Sequence, residues 1–265
     1  IITFSDYART VGTLNEETET KERIRELIEA ASVSVEVDTN RRYDRRFEAR
    51  DYDALRDSLG GDISEDGYLI LDDDLISVVD LFNNHTDTVA AEDYALFPQE
   101  SSAPAKWGVK LRGDNYWEWD TSLDSFDAIQ VYGTWGYGGK FALKSTVATQ
   151  MNDSPGTTAL IVTGFEPFEM GQMIQVGTGD TLEYMLVAAD PTTTTLLVER
   201  AYNGTTPVVH PVNDPVYVFR ADPLIRRIVT RLVRWMDNLD DSPDGDVIVV
   251  GDSEQVVNLS IAPDD

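Results

Sequence analysis

DPLIRRIVTRLVRWMDN, Asp222 to Asn238, is the stretch from which the rest of the chain is read. On a helix at about 100° per residue it splits into two faces. With Arg226 at zero, Leu224, Ile225, Ile228, Val229, Leu232, Val233, Trp235 and Met236 fall within roughly 160–340°. Arg226, Arg227, Arg231 and Arg234 fill roughly 0–140°. Asp222 suits an N-cap and Pro223 a first helical residue, so the start is well marked. The apolar half needs partners from earlier in the chain. The basic half is unexpected, because the protein carries a formal net charge of −27.

Two earlier stretches supply helical partners. Thr3 to Gly12 reads as a short helix capped by Ser5, with Phe4, Tyr7, Ala8 and Val11 on one face and Gly12 as the stop. From Thr18 to Val37, Ile24, Leu27, Ile28, Ala31 and Val35 share about 100° of arc, opposite Glu22, Glu26, Glu29 and Glu36. This apolar stripe is expected to pack on the arginine-bearing helix.

The intervening sequence is β-prone. Asn40 to Arg50 is a second basic island, with Arg41, Arg42, Arg45, Arg46 and Arg50, and it alternates like a strand from Tyr43 through Phe47 to Ala49. A nucleic-acid patch and arginines paired with carboxylates are the two readings of it, and the acidic composition favours the second. Tyr68–Leu71, Ile76–Phe82, Asp93–Phe97, Trp107–Leu111 and Ala128–Gly133 read as short strands bounded by turn residues. Asp72-Asp73-Asp74 is expected to be a solvated turn between two of them rather than a metal site. From Ser145 to Arg220 helical periodicity gives way to Thr, Val and Gly with regular turn signals, as in a small all-β unit. His210 within it is expected to be structural.

The composition narrows the classes. With 265 residues the chain can bury a substantial core. No apolar run approaches the ~20 residues that span a membrane. No signal-peptide pattern is present, and the chain opens at Ile1 rather than Met. The absence of cysteine removes disulfides and thiol chemistry, and two histidines leave little for a transition metal. No catalytic or cofactor motif stands out. Asp240 to Asp246 has the acid spacing of half a calcium loop, but Pro243 intrudes and Gly251 stands where a ligand glutamate is required. The 48 acidic residues, against 16 Arg and 5 Lys, argue against gripping a phosphate backbone. Such acid-rich, lysine-poor usage resembles proteins that work in molar salt, where the Debye length is about 3 Å.

These pieces give an α+β expectation: a small helical bundle packed with a short-stranded β region (1–144 with 222–242), plus an inserted all-β module (145–221). The tail, 243–265, carries two apolar patches: Val247, Ile248, Val249 and Val250, then Val256, Val257 and Leu259. It is too short to bury itself, and is expected to dock on a partner.

The order of motifs resembles the head–tail connector (adaptor, head-completion) proteins of tailed viruses. Glu29-Ala30-Ala31-Ser32 leads into the Arg41–Phe47 segment. Leu69-Ile70-Leu71-Asp72 leads into Ile76-Ser77-Val78-Val79, and Asp93-Tyr94-Ala95-Leu96 follows. Ile129 to Tyr137 then precedes the final amphipathic helix. The inserted module resembles small β units of other virion proteins through Glu199-Arg200-Ala201-Tyr202-Asn203-Gly204-Thr205. The resemblance implies a non-enzymatic virion protein at the capsid–tail junction, or neck, with neither metal nor cofactor. It implies a homo-oligomeric ring of about twelve copies, joined to the portal above and to a tail or neck protein below, with DNA passing through. On that reading Arg226, Arg227, Arg231, Arg234, Trp135 and Tyr137 lie at the subunit interface, and the tail patches meet the portal. The rival class is a carbohydrate-binding or glycan-processing β protein using Trp117, Trp119 and Trp135.

The charge itself generates a test. If −27 is tuned to molar salt, the thermal midpoint should rise as salt goes from about 0.1 to 2 M, because screening relieves like-charge repulsion. A midpoint unchanged across that series would show that the acidity is ordinary.

Overall fold

Asp72-Asp73-Asp74 does not make a turn: it lies inside β2, Tyr68–Asn83, a continuous strand of 16 residues. In this computed structural model, residues 2–12, 18–56, 59–100, 103, 105–118, 125–164, 168–240, 248–249 and 256–257 are described. The chain divides into two units, Ile1–Val35 with Pro223–Asp265, and Glu36–Asp222.

The second unit begins with a sheet in which β1 (Arg46–Tyr52), β6 (Ile129–Trp135), β2, β5 (Lys106–Leu111) and β4 (Tyr94–Phe97) lie side by side in that order. The two-residue β3 (Asp87–Thr88) pairs with the end of β2. All of these pairings are antiparallel. Alternation sends Leu69, Leu75 and Leu81 of β2, Val109 of β5, and Ile129, Val131 and Trp135 of β6 into one core. Between Ile70 and Leu75 the register of β2 against β5 slips, and the three aspartates sit at this irregularity. Asp favours turns, but here its charge is answered from β1. The Arg50 guanidinium reaches Asp72 and Asp73, each at 3.0 Å, while its Nε and Nη2 hold Glu48. It lies over the Trp135 ring, 4.4 Å from the centroid. The Tyr52 hydroxyl donates to Asp72 at 2.6 Å, and Arg41 stands 3.5 Å from Asp74.

A second sheet follows in the order β7 (Lys140–Thr146), β12 (Pro215–Arg220), β9 (Met173–Val176), β10 (Glu183–Val187), β11 (Thr195–Glu199) and β8 (Ala159–Ile161). Its edges meet. Val147 bridges Val162, the Ala148 amide donates to the Ile161 carbonyl at 2.7 Å, and the Thr163 amide donates to the Thr146 carbonyl at 2.9 Å. The sheet thus curls into a small barrel whose first and last strands meet just beyond Thr146 and Ile161. Its interior is filled by Val147, Leu160, Ile174, Val176, Met185, Val187, Leu196 and Val216. Lys140 and Arg220 pair across β7 and β12, so the barrel's entry and exit lie side by side, as suits an inserted element.

The barrel touches the first sheet through a polar loop. Asn203 donates its amide to the Asp44 carboxylate at 3.0 Å and to the Arg45 carbonyl at 2.8 Å. Gly204, at φ +85, passes so close that a Cβ would strike the Phe47 carbonyl. Arg45 donates to the Gly139 carbonyl at 3.1 Å and lies 5.2 Å from the centre of the Phe141 ring.

The first unit contains α1 (Phe4–Val11), the first eighteen residues of α2 (Thr18–Thr39), α3 (Pro223–Asp240) and a two-residue ladder, β13 (Ile248–Val249) with β14 (Val256–Val257). Thr3 rather than Ser5 caps α1, its hydroxyl accepting from the Asp6 amide at 3.2 Å. Buried stripes run along each helix: Phe4 and Tyr7; Ile24, Ile28, Ala31 and Val35; Ile225, Val229 and Val233. Charged links join the helices. The Tyr7 hydroxyl donates to Asp237 at 3.3 Å and Arg23 pairs with Asp237 at 2.6 Å.

The α+β expectation of a helical bundle with a short-stranded β region is corrected. The described residues are mostly β, 36% strand against 25% helix, in two six-stranded antiparallel sheets with three helices. Two expected strands merge through Asp72–Asp74 because Arg50 and Arg41 supply the countercharge that local propensity ignores. The residues after Tyr137, without alternation of their own, become β7 through pairing with β12. Arg50→Met should therefore destabilise the protein by roughly 2–4 kcal/mol, since it leaves the half-buried Asp73 and Glu48 without their countercharge. Arg50→Lys should recover only part of this, because an ammonium cannot reproduce the fork. Chemical unfolding curves check both, and a wild-type midpoint for Arg50→Met would dismiss the clamp.

Candidate functional site

The expected interface residues on α3 share one helix but not one environment. Of its apolar arc, Ile225, Val229 and Val233 are buried, whereas Leu224, Ile228 and Trp235 remain 62%, 42% and 39% exposed. The buried stripe is therefore narrower than the sequence pattern. Thr230 completes it, its hydroxyl donating back to the Arg226 carbonyl at 2.7 Å. The outer side carries a second, exposed apolar row.

Beside this row run the arginines. α1 and α3 enclose a groove of about 350 Å³ lined by Asp6, Arg9, Arg226, Arg227, Arg231 and Arg234, among others. Asp6 is the only carboxylate among the described lining residues, 3.7 Å from Arg9 and 3.9 Å from Arg226. Arg227, Arg231 and Arg234 are exposed, and no ion pair joins them to any described carboxylate. The Tyr7 hydroxyl nearby is pushed up to about 12 by its burial and by the charge of Asp237, against the opposing charges of Arg234 and Arg23. The groove is thus a concentrated positive surface in a strongly negative protein.

The other arginine island behaves differently. Arg41, Arg42, Arg46 and Arg50 lie within 4 Å of Asp74, Glu36, Asp44 and Glu48 respectively. Tyr137 lies here too, under the Arg41 guanidinium at 4.3 Å and edge-on to Tyr43. Trp135 is 1% exposed, its indole N–H donating to the Glu48 carbonyl at 3.1 Å. Trp117 is also buried, donating to the Gly67 carbonyl at 3.1 Å. Neither indole presents a face to solvent. Trp119 lies outside the described residues. The open aromatic group is a different one, Tyr68, Phe97 and the half-exposed Trp107, on the outer face of the first sheet. Only the pairing of β4, β5 and β2 assembles it, so no linear motif announced it.

Of the tail residues, Ile248 and Val249 pair with Val257 and Val256, while Val247, Val250 and Leu259 lie outside the described residues. So does most of the Asp240–Asp246 acid run. Among the described residues no cluster of His, Asp and Glu is placed to hold a metal ion, and no helix is long and apolar enough to cross a membrane.

The barrel holds one group that sequence reading missed. Glu183 is fully buried and accepts from Arg200 Nε at 3.0 Å and Nη2 at 2.5 Å, from His210 Nε2 at 3.0 Å, and from the Ala201 and Val208 amides. Arg200 also donates to the Asn152, Ser154 and Val208 carbonyls, and His210 Nδ1 meets Asp214 at 3.3 Å. Every partner is internal, so the cluster locks the barrel's loops rather than facing a ligand. Glu183 and Arg200 are 17 residues apart, a separation that carries no signal in one dimension.

No protein-family model matches the sequence, and no curated protein does either.

Burial alone would raise the Glu183 carboxyl. The hydrogen bonds from His210, Arg200 and the two amides outweigh this and hold it at about 2, below its ordinary 4.5. A depressed carboxyl contributes stability above its unfolded value and loses it as pH falls through the folded one. The barrel's stability should therefore decline between about pH 4.5 and 2, and Glu183→Gln should flatten that limb. At neutral pH the same variant should cost roughly 3 kcal/mol or more, since Arg200 loses its countercharge. Melting curves across the acid range read both effects.

Proposed function

We propose that this chain is a structural virion protein of the head–tail connector type, non-enzymatic, assembling as a ring that joins the capsid portal to the tail. One observation carries the reading: three exposed arginines on α3 have no ion pair to a described carboxylate in a chain of net charge −27, beside an exposed row of Leu224, Ile228 and Trp235. A protein with so many carboxylates leaves such a surface open when its partner comes from another subunit. The motif order from Glu29 to Tyr137 supports the family. The overall negative charge suits a conduit, because an acidic wall lets a polyanion slide where a basic one would hold it. In this reading Arg226, Arg227, Arg231 and Arg234 serve the ring. The tail patches around Ile248–Val249 and Val256–Val257 fasten it to the portal, where ring multiplicity turns weak docking into a firm joint. A tail or neck protein binds below, and DNA passes without sequence-specific contact.

The test is assembly. Purified protein in molar salt, with and without portal particles, should give closed rings of about twelve copies in electron micrographs and sedimentation. Truncation after Ser242 should leave a folded, ring-forming protein that no longer binds portal. A protein that stays monomeric at every concentration, portal present or absent, would dismiss the reading.

A further inference from the structure

We propose that the arginine row of α3 is covered by the outer face of α2 from a second copy, so that subunits join head to tail. This rests on the ring reading and names the surface that completes it. The buried stripe of α2, Ile24, Ile28, Ala31 and Val35, turns its opposite side to solvent. That side carries Glu22, Glu26 and Glu29, all exposed, with Ala30 and the 53%-exposed Val33 beside them. No ion pair joins these glutamates to any described cation.

The two rows have the same spacing. Arg227, Arg231 and Arg234 are separated by four and then three residues, as are Glu22, Glu26 and Glu29. At a rise of about 1.5 Å per residue each row has members at about 0, 6 and 10.5 Å along its axis. Laid parallel, every arginine falls level with one glutamate, and the exposed Trp235 falls level with the small Ala30. Laid antiparallel, the middle pair misses by about 1.5 Å. Charge, spacing and apolar content are thus complementary between two different surfaces of one chain. Contact between unlike patches leaves one of each free at the ends of any open assembly, and a ring satisfies them all. Bidentate arginine–carboxylate pairs are short-ranged enough to persist where salt screens longer interactions.

Two charge-reversed proteins test this: Arg227→Glu with Arg231→Glu, and Glu22→Arg with Glu26→Arg. The substituted side chains are exposed, so circular dichroism should match wild type. Each protein alone should lose ring formation, with association weakened at least about 100-fold by like-charge contact. Mixed in equal amounts they should restore rings, because each supplies the face the other's reversed row requires. Rings lost on arginine reversal but kept on glutamate reversal would overturn the pairing while leaving the ring reading intact. Rings formed by both reversed proteins, with DNA retention altered, would assign the arginines to the nucleic acid and overturn the pairing too. A wild-type protein that never forms rings would fail the ring reading itself.

Discussion

The first sheet depends on one side chain that crosses it. Arg50 leaves β1, passes over Trp135 on the neighbouring β6, and ends between Asp72 and Asp73 on β2. It makes three adjacent strands one electrostatic unit and lets a run of three aspartates continue as strand. The same contacts hold the guanidinium above its usual range: burial works against its charge, but its hydrogen bonds to Glu48 and Asp72 and the charge of Asp73 prevail. Tyr52 is raised as well, first by burial and then by its bond to Asp72. Arg50 therefore stays charged and Tyr52 neutral across the physiological range.

The junction with the barrel extends the same economy. Asp44, which holds Arg46, also accepts from Asn203, so one carboxylate serves both a β1 arginine and the docking loop. Inside the barrel, Glu183 organises Arg200, His210 and two backbone amides, and the Val147–Val162 bridge brings the ends of β7 and β8 together. Residues Glu199 to Thr205 thus work in two directions, Arg200 inward to Glu183 and Asn203 outward to Asp44.

Arginine use divides the molecule by role. The island from Arg41 to Arg50 is satisfied within the chain, each guanidinium meeting a nearby carboxylate or, for Arg45, a carbonyl and an aromatic ring. Of the α3 arginines, only Arg226 has an ion pair to a described carboxylate, that of Asp6. On α3, by contrast, the exposed Arg227, Arg231 and Arg234 have no ion pair to a described carboxylate, and the exposed Leu224, Ile228 and Trp235 lie beside them.

The sequence by itself determined the helices and the acidity. Periodicity placed α1, α2 and α3, because a helix reads contacts only three and four residues away and one-dimensional spacing captures them. It also marked Ser145 to Arg220 as an all-β unit, because turn signals are local. Tertiary structure alone decided that the molecule is mostly β, that Asp72–Asp74 extend as strand, and that β7 forms. Each rests on partners far along the chain: Arg50 lies 22 residues from Asp72, and Lys140 pairs with Arg220. It decided too which half of the α3 apolar arc is buried. The spacing of apolar residues states how wide a face a helix offers, but only the packed neighbours state how much of it they cover.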